Sequence, residues 1–147
     1  MATPTRQSRE CSIARTLDIV GEKWALLAVR EVFLGNRRFD EMVRRTGAPR
    51  DTLAARLKTL VSSGVLERSP VSEHPPRCEY RLTQAGLDLY PVIVALLQWG
   101  DQHARGEHGP PLVLEHNCGE NLGAISICAH CGEKIEPRDV KARARVY

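Results

Sequence analysis

Apolar residues recur at helical spacing over much of the chain. From Glu10 to Val20, Ile13, Leu17 and Val20 fall on one side of a helix that Gly21 ends. A second helix is expected from Lys23 to Leu34, with Trp24, Leu27, Ala28, Phe33 and Leu34 mostly buried and Gly35-Asn36 closing it. Arg37-Arg38-Phe39 is long enough only for a bridging strand. Asp40 to Thr46 reads as a short third helix, capped by Asp40 and stopped at Gly47. The stretch Gly47–Gly64 then encloses an amphipathic helix. Leu53, Leu57, Leu60 and Val61 share its inner face, and Pro49 sits at or just before its start, where a missing N–H is harmless.

After Gly64 the period changes. Val65-Leu66-Glu67-Arg68 reads as a strand and Glu79 to Thr83 as its partner. The intervening SPVSEHPPRC, with three prolines, is expected to be irregular. Helix, turn, helix and then two strands joined by a loop describe a winged helix-turn-helix. The fold class is therefore mainly α (α+β), with a long C-terminal dimerisation helix and a small β/knuckle tail. Thr83 caps that helix, which runs to about His103 and which Pro91 should kink or restart. PVIVALLQWG is apolar on nearly every side, so it should be covered from more than one direction; a second copy of the chain is the natural cover. The expected domains are a disordered lead over 1–9, a DNA-binding domain over 10–83, a dimerisation helix over 84–106 and a tail over 107–147.

The outer face of the 47–64 helix sharpens this. Asp51, Thr52, Ala55, Lys58 and Thr59 lie opposite the leucines, with Arg56 on the flank. Short side chains let a backbone approach base edges, and cations meet phosphates. Net charge is only +3, but Arg44 to Arg68 holds six Lys or Arg against two acids. Such a block fits a polyanion better than a membrane. No apolar run reaches the ~18 residues of a membrane span, and MATPTRQSRE has no signal-peptide core. A cytoplasmic protein is expected, and its five cysteines then point to free thiols or metal ligands rather than a disulfide framework.

The segments CSIARTLDIVGEKWALLAVREVFLGNRRFDEM, TLAARLKTLVSSGVLERS and PPRCEYRLTQAG, followed by Trp99-Gly100, occur in the order found in the HxlR-type regulators, a MarR-like winged-helix branch that this sequence resembles. The resemblance covers roughly Cys11 to His103. It implies a dimeric transcriptional regulator, a repressor released by a small-molecule effector or an oxidant. It also implies a cavity between the second helix and the dimer helix, near Trp24 and Trp99. Pro49 stands where many relatives carry a small polar residue, and Cys78 where many carry an aromatic or aliphatic one.

Within that frame Arg56, Lys58, Arg68 and Arg77 are expected at phosphates of double-stranded DNA. Arg50, Asp51, Thr52, Ala55 and Thr59 are expected at base edges, with His74 or Arg77 of the wing at the minor groove. A dimer would set its two helices ~34 Å apart on a pseudo-palindromic operator. Cys11 opens the first helix beside Arg9 and Arg15, a setting that favours a thiolate, and some relatives use this cysteine as a redox switch; Cys78 has a weaker claim. In the tail, His116 and Cys118 should face the same way on a strand. With Cys128-x-x-Cys131 they offer one His and three Cys, a set for structural Zn2+, with His130 as a substitute for His116. The alternative function is a small thiol/disulfide redox protein using Cys128 and Cys131, which would need a βαβ context that the pattern lacks. Nothing resembles a nucleophile–base pair or a phosphate loop, so an enzyme is not expected.

Overall fold

The computed structural model describes residues 11–143; the expected lead over 1–9 lies outside them. The elements are α1 (Ser12–Val20), α2 (Lys23–Phe33), α3 (Phe39–Thr46), α4 (Arg50–Ser62), β1 (Leu66–Glu73), β2 (Pro76–Leu82), α5 (Gln84–Leu87) and α6 (Tyr90–His103), with a short 3-10 turn at Pro137–Asp139. This is the winged helix-turn-helix architecture read from the pattern.

The core forms where three helical stripes meet. Ala25, Ala28, Val29 and Val32 of α2 recur at helical spacing and join Met42 of α3 and Leu53, Leu57 and Leu60 of α4 in one buried cluster. Each fully buried leucine contributes about 1.5–3 kcal/mol. One charge lies among them. Glu31 is 2% exposed; its carboxylate accepts from Arg30 Nη2 at 2.5 Å and from Asn36 Nδ2 at 2.6 Å. The Asn36 N–H also donates to the Glu31 carbonyl at 2.9 Å. These bonds fix the turn that leads into α3. Leu34, expected inside, caps α2 and is exposed. In α1 only Val20 of the expected stripe is buried; Ile13 and Leu17 are 71% and 55% exposed.

Two local expectations are corrected between α2 and α4. Arg37-Arg38-Phe39 makes no strand. Its single ladder-like bond runs from the Tyr80 N–H to the Arg37 carbonyl at 2.8 Å. Asp40 does not cap α3, because Phe39 packs against the core and starts the helix one residue earlier. Asp40 and Glu41 fall instead in the first turn, where their charge suits the positive end of the helix dipole. Gly47 ends α3 at φ +71°, a conformation costly for any residue with a Cβ. Pro49 then occupies the N-cap of α4 without a side-chain cap bond, and its carbonyl accepts from Leu53 N–H at 2.9 Å.

The wing is longer than expected. SPVSEHPPRC is a hairpin rather than a loop: Leu66 pairs with Leu82, Arg68 with Tyr80 and Pro70 with Cys78, and a register shift separates Pro70 from Ser72. In a two-stranded ribbon both strands are edges, so proline loses no necessary ladder bond. Pro70 adjoins the irregularity, Pro76 opens β2, and the cis His74-Pro75 bond lies in the turn. The base of the hairpin is buried through Val65 and Leu66. Thr83 caps α5 by accepting from the Gly86 N–H at 3.1 Å, and its hydroxyl donates to the Val65 carbonyl at 3.0 Å.

The expected long helix is two. α5 ends at Leu87, and α6 starts at Tyr90 with Pro91 in its first turn, so the proline restarts the helix instead of kinking it. The chain divides into two compact units between Ile93 and Val94, inside α6. Leu89 and Ile93 join the core of the first unit, and the Tyr90 ring lies 4.8 Å from that of Phe33. In the second unit the tail forms no strands among the described residues. It makes two isolated antiparallel bridges, Glu115 with Asn121 and Ile127 with Lys134. Gln98 of α6 donates to the Ala124 carbonyl at 3.3 Å.

Candidate nucleic-acid interface

The outward face of α4 follows from its buried one. With Leu53, Leu57 and Leu60 turned inward, Asp51, Ala55 and Lys58 are exposed and Thr52 and Thr59 half-exposed. Ser62, absent from the expected set, is exposed at the C-terminal end of α4; its hydroxyl donates to the Thr59 carbonyl. The face is small and polar over its full length, and Lys58 has no ion-pair partner among the described residues.

Beside this face runs an open cleft of about 610 Å³ between α3, α4 and the wing. Arg38, Arg44, Arg68 and Arg77 line it, with Ala54, Cys78 and Tyr80. All four arginines are exposed, and none has an ion-pair partner among the described residues. Asp40 and Glu41 line it too, but each is paired, with Arg50 and Arg45, so the four guanidinium groups leave an excess of positive charge around one concave surface, which suits a phosphodiester backbone. Arg68 and Arg77 were expected from the wing pattern. Arg38 and Arg44 were not: they come from the start and last turn of α3, which no local pattern links to the wing. A second groove of about 490 Å³ continues between α4 and the wing, past Lys58, Ser62 and Arg68. His74 is exposed in the turn at the tip of the hairpin.

Two expected DNA contacts are engaged elsewhere. Arg50 is folded back along α3, its guanidinium 5.0 Å from the Phe39 ring centroid and 2.8 Å from the Asp40 carboxylate. Arg56 lies on the flank toward α2, 3.8 Å from Glu22, and its Nε is buried without a hydrogen-bond partner. Both sit off the outward face that carries Ala55 and Lys58.

The cysteines are free thiols. Cys11 is exposed at the N-cap of α1, and Cys78 is half-buried in the arginine-lined cleft. The tail does not assemble His116, Cys118, Cys128 and Cys131 into one centre. Among the described residues no three His, Cys, Asp or Glu side chains form a group that could hold a metal. The reason is local. Each pair belongs to its own closed turn, and His116 and Cys118 lie in a turn rather than on a strand. The Cys118 N–H donates to His116 Nδ1 at 3.2 Å, occupying a ligand atom. Cys128 and Cys131 do meet. The N–H groups of Cys131 and His130 donate to the Cys128 sulfur, and the Cys131 thiol bonds to it as well, which together hold the Cys128 thiol below its ordinary pKa.

The sequence matches the family model described as HxlR-like helix-turn-helix over residues 19–108. It is 50% identical over 130 residues to an uncharacterised HTH-type transcriptional regulator of Mycobacterium tuberculosis, covering 88% of this chain and 82% of that one. An uncharacterised HTH-type regulator of Methanothermobacter thermautotrophicus is 34% identical over 111 residues, covering 75% and 79%. Among solved structures, PA1607, a candidate transcription factor, superposes with a TM-score of 0.83 at 34% identity, covering 92% of this chain and 96% of that one. The redox regulator HypR in its oxidised form gives 0.59 at 30% identity, covering 63% and 97%. With the family model spanning the helix-turn-helix, the wing and α6, the chain belongs to the HxlR family of helix-turn-helix transcriptional regulators.

Proposed function

We propose that this protein is a homodimeric repressor that reads a pseudo-palindromic operator through α4 and is released by a small molecule or an oxidant. The observation that carries the reading is the pairing of a small, polar α4 face with a cleft lined by four unpaired arginines. In this reading Asp51, Thr52, Ala55 and Thr59 meet base edges in the major groove. Lys58, Arg68 and Arg77 hold phosphates, Arg38 and Arg44 extend that contact, and His74 reaches the minor groove. Arg50 joins the base contacts once it leaves Asp40, and Arg56 acts from the flank. A repressor of this kind needs only occupancy: two helices seated on a promoter exclude other proteins from it.

Dimerisation is supported by apolar surface. Ile13 and Leu17 of α1 are exposed, and so are Val92, Leu96 and Trp99 of α6; side chains of this size on open helix faces mark an interaction surface. Release by an oxidant is supported by the exposed Cys11 thiol and by the likeness to HypR, which is named a redox regulator.

The test is binding to the protein's own upstream DNA, followed by fluorescence anisotropy from low to moderate salt. Arg77→Ala and Lys58→Ala should each weaken binding to all sequences and reduce the salt slope by about one unit. Thr52→Ala should instead lower affinity for the operator alone. Equal slopes for wild type and both charge variants would refute the phosphate assignment. A peroxide-treated protein with Cys11 unmodified and DNA binding lost would rule out Cys11 as the switch.

A further inference from the structure

The arginine-lined cleft offers more than a duplex backbone uses. Its cations come from two sides. Arg38 and Arg44 stand at the start and in the last turn of α3, Arg68 on β1 and Arg77 on β2. The Tyr80 main-chain N–H donates to the Arg37 carbonyl at 2.8 Å, which ties β2 to the chain just before α3 and so fixes the spacing of the two walls. Tyr80 lies directly across the hairpin from Arg68, and the two side chains leave the same face of the ribbon as neighbours. Part of the Tyr80 side chain packs on the core, and the rest lines the cleft beside Arg68. Among the described residues the Tyr80 ring has no aromatic or cationic partner and its hydroxyl no hydrogen bond.

We propose that this cleft is the effector site and that the effector is a nucleotide-like metabolite, an aromatic ring system carrying a short polyphosphate. This role rests on the DNA-binding reading above and names the class of its small-molecule effector. Charge density, size and the aromatic wall carry it. A phosphodiester has one negative charge, and a duplex spreads its charges along two strands. A terminal phosphate has about 1.5–2 at neutral pH, so a di- or triphosphate gathers in one place the charge that four convergent guanidinium groups can neutralise. Each of those groups can hold two phosphate oxygens at once. The cleft, about 610 Å³, has the volume of a small-ligand pocket. Tyr80 separates a free nucleotide from a backbone. Bases in a duplex stack on one another and present only their edges, whereas a free nucleotide presents the face of its base, and stacking on an aromatic side chain strengthens binding about tenfold.

Such a ligand and DNA exclude one another. The polyphosphate takes Arg68 and Arg77, the wing cations proposed at backbone phosphates, and its charge repels the duplex from the adjoining face of α4. Arg68 and Tyr80 also border the second groove, past Lys58 and Ser62, so a base stacked on Tyr80 lies beside the face that reads DNA. Release then needs no rearrangement of the fold, only occupancy of the cleft.

The first arm of the test contains no DNA, so its failure is separable from failure of operator binding. Calorimetry on the full chain, at fixed ionic strength and without divalent metal, compares ATP with inorganic tripolyphosphate, which has the charge and lacks the ring. ATP should bind about tenfold tighter or more. Tyr80→Leu should bring the two anions to equal affinity, and Tyr80→Phe should keep the difference. Arg38→Ala and Arg44→Ala should weaken both anions. Circular dichroism checks that each variant is folded; if Tyr80→Leu is not, the wild-type ratio and the two arginine variants still decide. In the second arm, saturating ATP should lower operator affinity at least about tenfold at constant ionic strength, and the same ATP concentration should do less in Arg44→Ala. Equal binding of ATP and tripolyphosphate to the wild type overturns the proposal, as does ATP binding that survives both arginine variants. Operator affinity unmoved by bound ATP overturns it too. So does a single-stranded oligothymidylate that binds tighter than ATP and depends on Tyr80, because the cleft is then a strand groove. If ATP binds as expected and no duplex is bound at any salt concentration, the ligand site stands and the DNA-binding reading fails.

Discussion

Arg50 is proposed as a base contact, and its side chain is held away from the outward face of α4. It begins α4, where a guanidinium can reach a guanine edge, yet it rests on Phe39 and is paired with Asp40. Both partners are well exposed, at 61% and 72%, so water screens the pair and its stabilisation is within about 1 kcal/mol. That small energy is still a cost to binding if Arg50 must leave Asp40 to reach DNA, and the Asp40 carboxylate itself repels phosphates. Asp40→Asn should therefore bind operator about two- to fivefold tighter while losing little stability. Fluorescence anisotropy on Asp40→Asn, Arg50→Ala and the double variant checks this. In the Arg50→Ala background the gain should shrink to the part that comes from the lost Asp40–phosphate repulsion, and a gain that stays whole there would mean that Asp40 acts on the field alone.

The placement of the wing rests on a few backbone contacts at its base. Gly86 of α5 packs so closely under β1 that an added Cβ would lie 2.3 Å from the Val65 carbonyl oxygen and 3.0 Å from Leu82 Cδ2. Gly86→Ala must push α5 away from the hairpin, at a cost of about 1–3 kcal/mol. It should lower the melting temperature and, by tilting the wing, weaken DNA binding beyond what the stability loss explains. Thermal denaturation together with anisotropy below the transition separates the two effects. Helices were legible at this scale because Leu53, Leu57 and Leu60 repeat with the period of the backbone. The full extent of the wing was not: three prolines read as a break, and only pairing along two open edges makes them compatible with strand. Glu31 was equally hidden, since a charge in an amphipathic pattern reads as solvent-facing. Its burial depends on Arg30 and Asn36 closing around it. The cleft needed tertiary proximity as well, because Arg38 and Arg44 approach Arg68 and Arg77 only after folding. In the tail alternation suggested strands where short, glycine-punctuated segments close turns on themselves.

At the scale of the whole molecule, the unresolved demand is apolar surface. α1 shows Ile13 and Leu17 to solvent, and α6 shows Val92, Leu96 and Trp99. A repeated helical stripe is the feature that buries a helix, so a stripe left open after folding calls for a second surface to cover it. The proposed homodimer would supply that surface and would account for α6 being apolar on more than one side. It would also set the affinity. Two α4 helices on a rigid dimer would bind one operator with the second contact effectively intramolecular, so a monomer should lose about a hundredfold or more in apparent affinity. Leu96→Asp and Leu17→Asp each place a charge in one of these faces without touching the buried core of the reading unit. Sedimentation velocity should show dimer for the wild type and monomer for whichever variant lies at the contact. The same variant should lose operator affinity while keeping its helical circular dichroism. If both variants remain dimeric, the interface lies elsewhere and the exposed stripes need another partner. If one becomes monomeric and still binds operator at wild-type affinity, pairing of the two α4 helices is not what holds this protein on DNA.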